Sequence, residues 1–241
     1  MSKKKPDNSP KIHQNSKIKN QITIFDRELT EKQKELLKIL LDKNTKMVFI
    51  SGCAGTSKTF CAVLALLYLL NDKKISNIHY IRAAVESSSD AGKLGFLPGS
   101  ITEKLEVYSQ PFIDKLNELI PKSSIDTLKK DGRIQMSCIN YIRGVQYNAL
   151  GLLLDEAQCC TRKNIISLIT RQGPFSKMII AGDPEQSDIK NEGFTEMYNL
   201  FDDQESRDNG IFTFKFDEND VLRSDLVRFI TTKLRKQKSI S

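Results

Sequence analysis

Met47-Val-Phe-Ile-Ser-Gly52-Cys-Ala-Gly-Thr-Ser-Lys58-Thr59 opens as a short apolar run and turns through small residues. It ends on a lysine–threonine pair, and an apolar stretch, Phe60 to Leu70, follows at once. Four or five apolar residues of strand length, a small-residue loop and an apolar helix, in that order, let backbone N–H groups and a helix N-terminus surround a polyphosphate. The loop itself, Gly52, Cys53, Ala54, Gly55, Thr56, Ser57, Lys58 and Thr59, has the Walker A pattern and is assigned to nucleotide binding. Lys58 is expected to reach the β- and γ-phosphates and so to take part in catalysis, while the Thr59 hydroxyl ligates Mg²⁺. One position departs from the pattern. Ser57 stands where glycine is usual, and a serine fits there only if its φ is negative, as expected in the first turn of a helix.

Working outward, Leu152-Leu-Leu-Asp155-Glu156-Ala157-Gln158 is an apolar strand ending in two carboxylates, 96 residues beyond Thr59. Alone it reads equally well as a strand end with solvated acids. Paired with the loop it reads as Walker B, with Asp155 holding Mg²⁺ and Glu156 orienting the attacking water. Met178-Ile-Ile-Ala-Gly182-Asp183-Pro184-Glu185-Gln186 is a third apolar run that ends in GDPxQ. It places an acid and an amide at the carboxyl edge of a sheet, where open α/β folds bind ligands. Gln186 is expected to contact the γ-phosphate or the attacking water. Gln33, in Leu29-Thr-Glu-Lys-Gln-Lys, leaves two readings open. It can read the edge of adenine, or close a capping box with Thr30.

The remaining pattern is consistent with this frame. Strand-length runs at Met47–Ile50, Ile78–Ile81, Ile134–Ile139, Gly151–Leu154, Met178–Ala181 and Ile211–Phe216 alternate with helical patterns over Thr30–Leu41, Ile101–Leu119 and Asn164–Thr170. Short apolar strands alternating with helices indicate an α/β fold, a mostly parallel sheet covered by helices on both faces. Asp202–Asn209 reads as a polar surface loop, and Asp220–Arg235 as a terminal helix. The 241 residues suit one domain over 21–235. A basic arm over 1–20 and a basic tail over 236–241 flank it. Residues 1–20 carry six lysines against Asp7, and 233–241 four further basic side chains, so the overall charge of +7 hides a slightly acidic body. Lysine-rich ends serve equally as solubilising tails or as phosphate contacts for nucleic acid. No apolar run approaches the ~20 residues of a membrane helix, and no signal peptide is legible. The five cysteines lack zinc-ligand spacing and suit reduced thiols of a cytoplasmic protein.

The Walker A loop, DEAQ and GDPxQ together resemble the PhoH family of ATPases, relatives of superfamily 1 helicase motors. Arg82-Ala-Ala-Val-Glu86, Lys93-Leu-Gly-Phe-Leu-Pro-Gly99, Ile142-Arg143-Gly144, Arg171-Gln-Gly-Pro-Phe-Ser-Lys177 and Asp220-Val-Leu-Arg223 are similar to the family as well. Ala83 departs, since the family usually has proline there. The resemblance implies a RecA-like core that binds ATP with Mg²⁺. It also implies a homo-oligomeric ring, with a hexamer as one option, and RNA or single-stranded DNA as a partner. A chain of this size has room for one RecA-like lobe, so motor action needs neighbouring subunits. No arginine lies in the loop; Arg143, Arg171 and Arg223 are candidates, with Arg223 the one expected to complete a neighbour's site. Phe96, in Lys93–Gly99, either stacks on a base or packs its loop. Two other functions stay open: an ATP-dependent nucleic-acid-binding or assembly module with negligible hydrolysis, and a small-molecule kinase, against which the water-orienting Glu156 argues.

Overall fold

The computed structural model describes residues 21–83, 101–139, 146–187, 189 and 192–222, without the side chains of 101–107. The arm over 1–20, the Lys93–Gly99 loop, Arg143, Arg223 and the tail over 236–241 lie outside the described residues. The elements, in chain order, are α1 (Glu31–Leu41), β1 (Met47–Ser51), α2 (Lys58–Asn71), β2 (Asn77–Arg82), α3 (Ile101–Leu119), α4 (Lys122–Lys130), β3 (Ile134–Cys138), β4 (Leu150–Asp155), α5 (Arg162–Ile169), β5 (Lys177–Gly182), α6 (Phe194–Leu200), α7 (Gln204–Asp208) and β6 (Ile211–Lys215).

Six strands form one sheet in the order β3-β2-β4-β5-β1-β6, and every pairing is parallel. The three central strands, β4, β5 and β1, are buried at every position. A parallel strand covered on both sides must be apolar throughout, which is why these three are near-continuous hydrophobic runs. Alternate side chains divide between two cores. Val48, Ile50, Leu153, Ile179 and Ala181 pack with α1, α2, α3 and α4 on one face. Met47, Phe49, Leu152, Leu154, Met178 and Ile180 pack with α5 and α6 on the other. α2 is apolar nearly all round, with nine buried residues, and forms the centre of the first layer with Tyr68 at its outer face. Its last residue, Asn71, grips Ile22 through both backbone groups at 3.0 and 2.8 Å, tying down the segment that leads to α1.

Two expectations are corrected here. Asp202–Asn209 is not a loop: Asp203 caps the single-turn helix α7 by accepting from Ser206 N at 2.7 Å. The terminal helix does not begin at Asp220. Glu218–Asp220 is a 3₁₀ turn closed by its own capping box, Val221 is extended, and the chain beyond Leu222 lies outside the described residues. Among the described residues no helix is long and apolar enough to cross a membrane.

Candidate nucleotide site

All strands point the same way, so their carboxyl ends share one edge, and the three sequence motifs meet there. β1 ends at Ser51 and the chain turns through Gly52–Ser57 into α2. A Cβ at Gly52 would lie 2.8 Å from Cβ of Phe216 and 3.0 Å from Thr56 Oγ1, so only glycine lets the loop pass beneath the end of β6. Thr56 is buried, and both its N–H and its hydroxyl donate to the Cys53 carbonyl, at 3.4 and 2.8 Å. The Leu222 N–H donates to the Gly55 carbonyl at 3.0 Å. The loop is thus held from inside and from the segment after β6.

Ser57 overturns the expectation of a negative φ. It caps α2 at φ 67° and ψ 24°, in the left-handed region, and its side chain makes no bond to the helix end. The turn into α2 demands the conformation that glycine usually supplies, and here a serine bears it.

Lys58 lies over the loop and donates to the Gly52 and Cys53 carbonyls at 2.6 and 3.1 Å. Burial lowers its pKa, against the opposing pull of Asp183, Asp155 and Glu156. Thr59 Oγ1 donates to Asp155 Oδ1 at 3.0 Å, joining the two motifs across the sheet edge. The other carboxylate oxygen accepts from Tyr80 on β2 at 3.0 Å. Tyr80 itself stacks on Phe112 of α3, ring centroids 4.7 Å apart. Burial and the neighbouring Glu156 raise the Asp155 pKa, while the bonds from Thr59 and Tyr80 act the other way. A cation would relieve that crowding, so the Thr59–Asp155 pair fits Mg²⁺ by the chemistry of its donors.

Glu156 follows with φ 56°, an uncommon conformation at a strand end that starts the 3₁₀ turn Ala157–Cys159. Its Oε2 accepts from Gln158 Nε2 at 2.8 Å, and its Oε1 lies 4.0 Å from Arg82 Nη2. Asp183, at the end of β5, accepts from Ala54 N of the loop at 2.9 Å and from Glu185 N at 3.1 Å.

These groups face one cavity of about 630 Å³, whose lining includes Gln33, Lys58, Thr59, Asp155, Glu156 and Gln186. Ala54, Gly55 and Ser57 also line it, whereas Gly52, Cys53 and Thr56 form the buried base of the loop. Gln33 keeps both of its readings. It closes the capping box with Thr30, at 2.9 and 3.3 Å, and still borders the cavity. Arg171 is not brought to the site, because it lies in the turn before β5, at the opposite edge of the sheet, where its carbonyl accepts from Tyr147 N. Sequence reading misses Tyr80, Arg82 and Gln158, and the bond between Asp183 and the loop. Gln158 could be suspected as the last letter of DEAQ; Tyr80 carries no local signal.

The family model described as PhoH-like protein matches residues 27–235. This chain belongs to the PhoH-like protein family. A PhoH-like protein of Bacillus subtilis (strain 168) is 34% identical over 195 residues, covering 81% of this chain and 60% of its own length. One from Synechocystis sp. is 32% identical, covering 89% and 64%, and Protein PhoH of Escherichia coli (strain K12) is 28% identical, covering 81% and 54%. The chain therefore spans less than two thirds of the length of these PhoH-like relatives. Among solved structures, the Pif1 helicase from Candida albicans is similar over 80% of this chain and 41% of its own, at 15% identity and a TM-score of 0.38. For this PhoH-like chain, membership of the family implies nucleotide binding at the P-loop.

Proposed function

We propose that this PhoH-like chain hydrolyses ATP with Mg²⁺ and couples hydrolysis to RNA or single-stranded nucleic acid. The observation that carries the reading is the 3.0 Å bond between Thr59 and Asp155, which seats the loop and both acids on one cavity. Thr59 and Asp155 would hold the cation, which when bound neutralises phosphate charge. Lys58 has two carbonyls to exchange for phosphate oxygens, Glu156 is the base that orients water, and Gln186 stands at the γ-phosphate end. Gln33 meets the base. The segment Gly52–Thr59 supplies no arginine to offset transition-state charge; beside Arg82, which already faces Glu156, we assign that part to Arg223 of a neighbouring subunit in a ring, a hexamer in the fullest form. Inactive Arg223→Ala and Glu156→Gln subunits that co-assemble should then regain activity when mixed.

Phosphate release, measured with and without RNA or single-stranded DNA, tests the proposal. Lys58→Ala should abolish tight ATP binding, whereas Glu156→Gln should bind and not turn over. Equal ATP affinity in wild type and Lys58→Ala would sink it. Binding without release, in wild type, points instead to an ATP-dependent binding or assembly module, which the glycine-type backbone forced on Ser57 favours.

A further inference from the structure

DEAQ ends in a glutamine to which the ATPase reading gives no task. Gln158 is only 2% exposed, and its side-chain amide is used at both ends. Nε2 donates to Glu156 Oε2 at 2.8 Å, and Oε1 accepts from the backbone N–H of Asp183 at 3.0 Å. The reverse amide orientation would set donor against donor and oxygen against carboxylate, so the two contacts fix it. The left-handed backbone of Glu156 and the 3₁₀ turn after it bring side chain 158 back beside side chain 156. Asp183 in turn accepts from Ala54 N at 2.9 Å. Three hydrogen bonds thus run from the phosphate loop through Asp183 and Gln158 to one oxygen of Glu156. The other oxygen faces Arg82, which is itself anchored on the Tyr108 carbonyl at 3.4 Å.

We propose that Gln158 is a positioning residue, which fixes the Glu156 carboxylate relative to the phosphate loop by way of Asp183. The role rests on the reading of Glu156 as the water-orienting base. Glutamine suits it for stated reasons. Asparagine is one methylene too short, glutamate would oppose carboxylate to carboxylate, and an apolar residue would leave the Asp183 N–H buried without an acceptor. A base held by a buried bond keeps its aim without reorganising, and small displacements of a reacting group are costly in rate.

The two halves of the amide can be separated. Gln158→Glu keeps an acceptor for Asp183 N–H and replaces the arm to Glu156 by carboxylate against carboxylate; Gln158→Met breaks both arms. Phosphate release and direct binding of a fluorescent ADP analogue are measured for wild type and both variants. Gln158→Glu should lower kcat at least about tenfold and leave ADP affinity within about threefold. Gln158→Met should lower both. Without nucleotide, Gln158→Met should cost less melting temperature in a Glu156→Ala background than in wild type, because their shared bond is already gone. An unchanged kcat in Gln158→Glu, an equal loss of kcat and affinity there, or an unchanged melting effect in the Glu156→Ala background would overturn the role. A wild-type protein that releases no phosphate overturns the ATPase reading as well, which the other results leave standing.

Discussion

Replacing Ser57 by glycine should stabilise the protein, an unusual direction for a substitution inside a phosphate loop. Holding an L-residue in the left-handed region costs about 1–2 kcal/mol. Ser57 sits there at φ 67° with no side-chain bond to the helix end, so truncation forfeits no cap. Against the relief stands the larger conformational freedom of glycine in the unfolded chain, about 0.4–1 kcal/mol. The difference favours the folded state by roughly 0.5–1 kcal/mol, and for a chain of this size that raises Tm by about 1–4 °C. Thermal unfolding followed by circular dichroism reads it, with Ser57→Ala as the control that keeps the backbone cost and lacks the hydroxyl. Ser57→Ala should melt with wild type, and Ser57→Val, β-branched at a positive φ, should melt below it. A Ser57→Gly protein that melts at or below the wild-type temperature would refute the strain argument. Phosphate release should be unchanged or faster; a tenfold fall, about 1.4 kcal/mol in barrier, would give the hydroxyl a task of its own.

Tyr80→Phe removes the donor to Asp155 Oδ2 and should raise the Mg²⁺ concentration needed for half-maximal nucleotide binding, read by titrating Mg²⁺ against a fluorescent ADP analogue. An unshifted midpoint would detach Tyr80 from the proposed Mg²⁺ site. Burial lowers His79 to about 4 from an ordinary 6.5, so the unfolded chain binds the extra proton between those values. Its contribution is therefore complete above about pH 6.5 and lost as pH falls towards 4, at most about 3 kcal/mol. Urea unfolding at pH 7 and pH 5 should show a smaller loss in His79→Gln than in wild type. Gly182→Ala would place a Cβ 2.8 Å from the Phe194 ring, and should lower stability by about 1–3 kcal/mol, read as a fall in Tm.

The six strands are legible because each central one must be apolar on both faces, and such runs stand out between polar turns. α4 escapes notice since it buries only Ile125 and Leu128, too little to mark a period in a lysine-rich stretch. α7 buries only Ser206 and looks like any acidic surface loop. At the site, the motifs give away the residues that one local stretch of backbone carries to the sheet edge: the loop, the two acids and the GDPxQ turn. What they cannot give is contact between distant strand ends. Tyr80 reaches Asp155 only because β2 lies beside β4, and the order of strands in the sheet is not written in any one segment. The expectation for Ser57 fails for another reason. Ser57 is the cap before the first helical residue rather than a member of the first turn, so its backbone is not helical and the turn from Gly52 closes there in the left-handed region.

The place of β1 in the sheet also bears on how the protein is made. β1 lies between β5 and β6, with Met47 beside Met178 and Ile211, so both neighbours come from the second half of the chain. As the polypeptide leaves the ribosome, the strand that feeds the phosphate loop emerges before both of its neighbours and stays without them until β5 and then β6 have followed. During that interval Val48, Phe49 and Ile50, all fully buried at the end, are open to chaperones and to other nascent chains. The last clasp on the loop, from the Leu222 N–H, arrives later still. The frame that holds the phosphate loop from the β6 side is therefore complete only once β6 and Leu222 have joined β1.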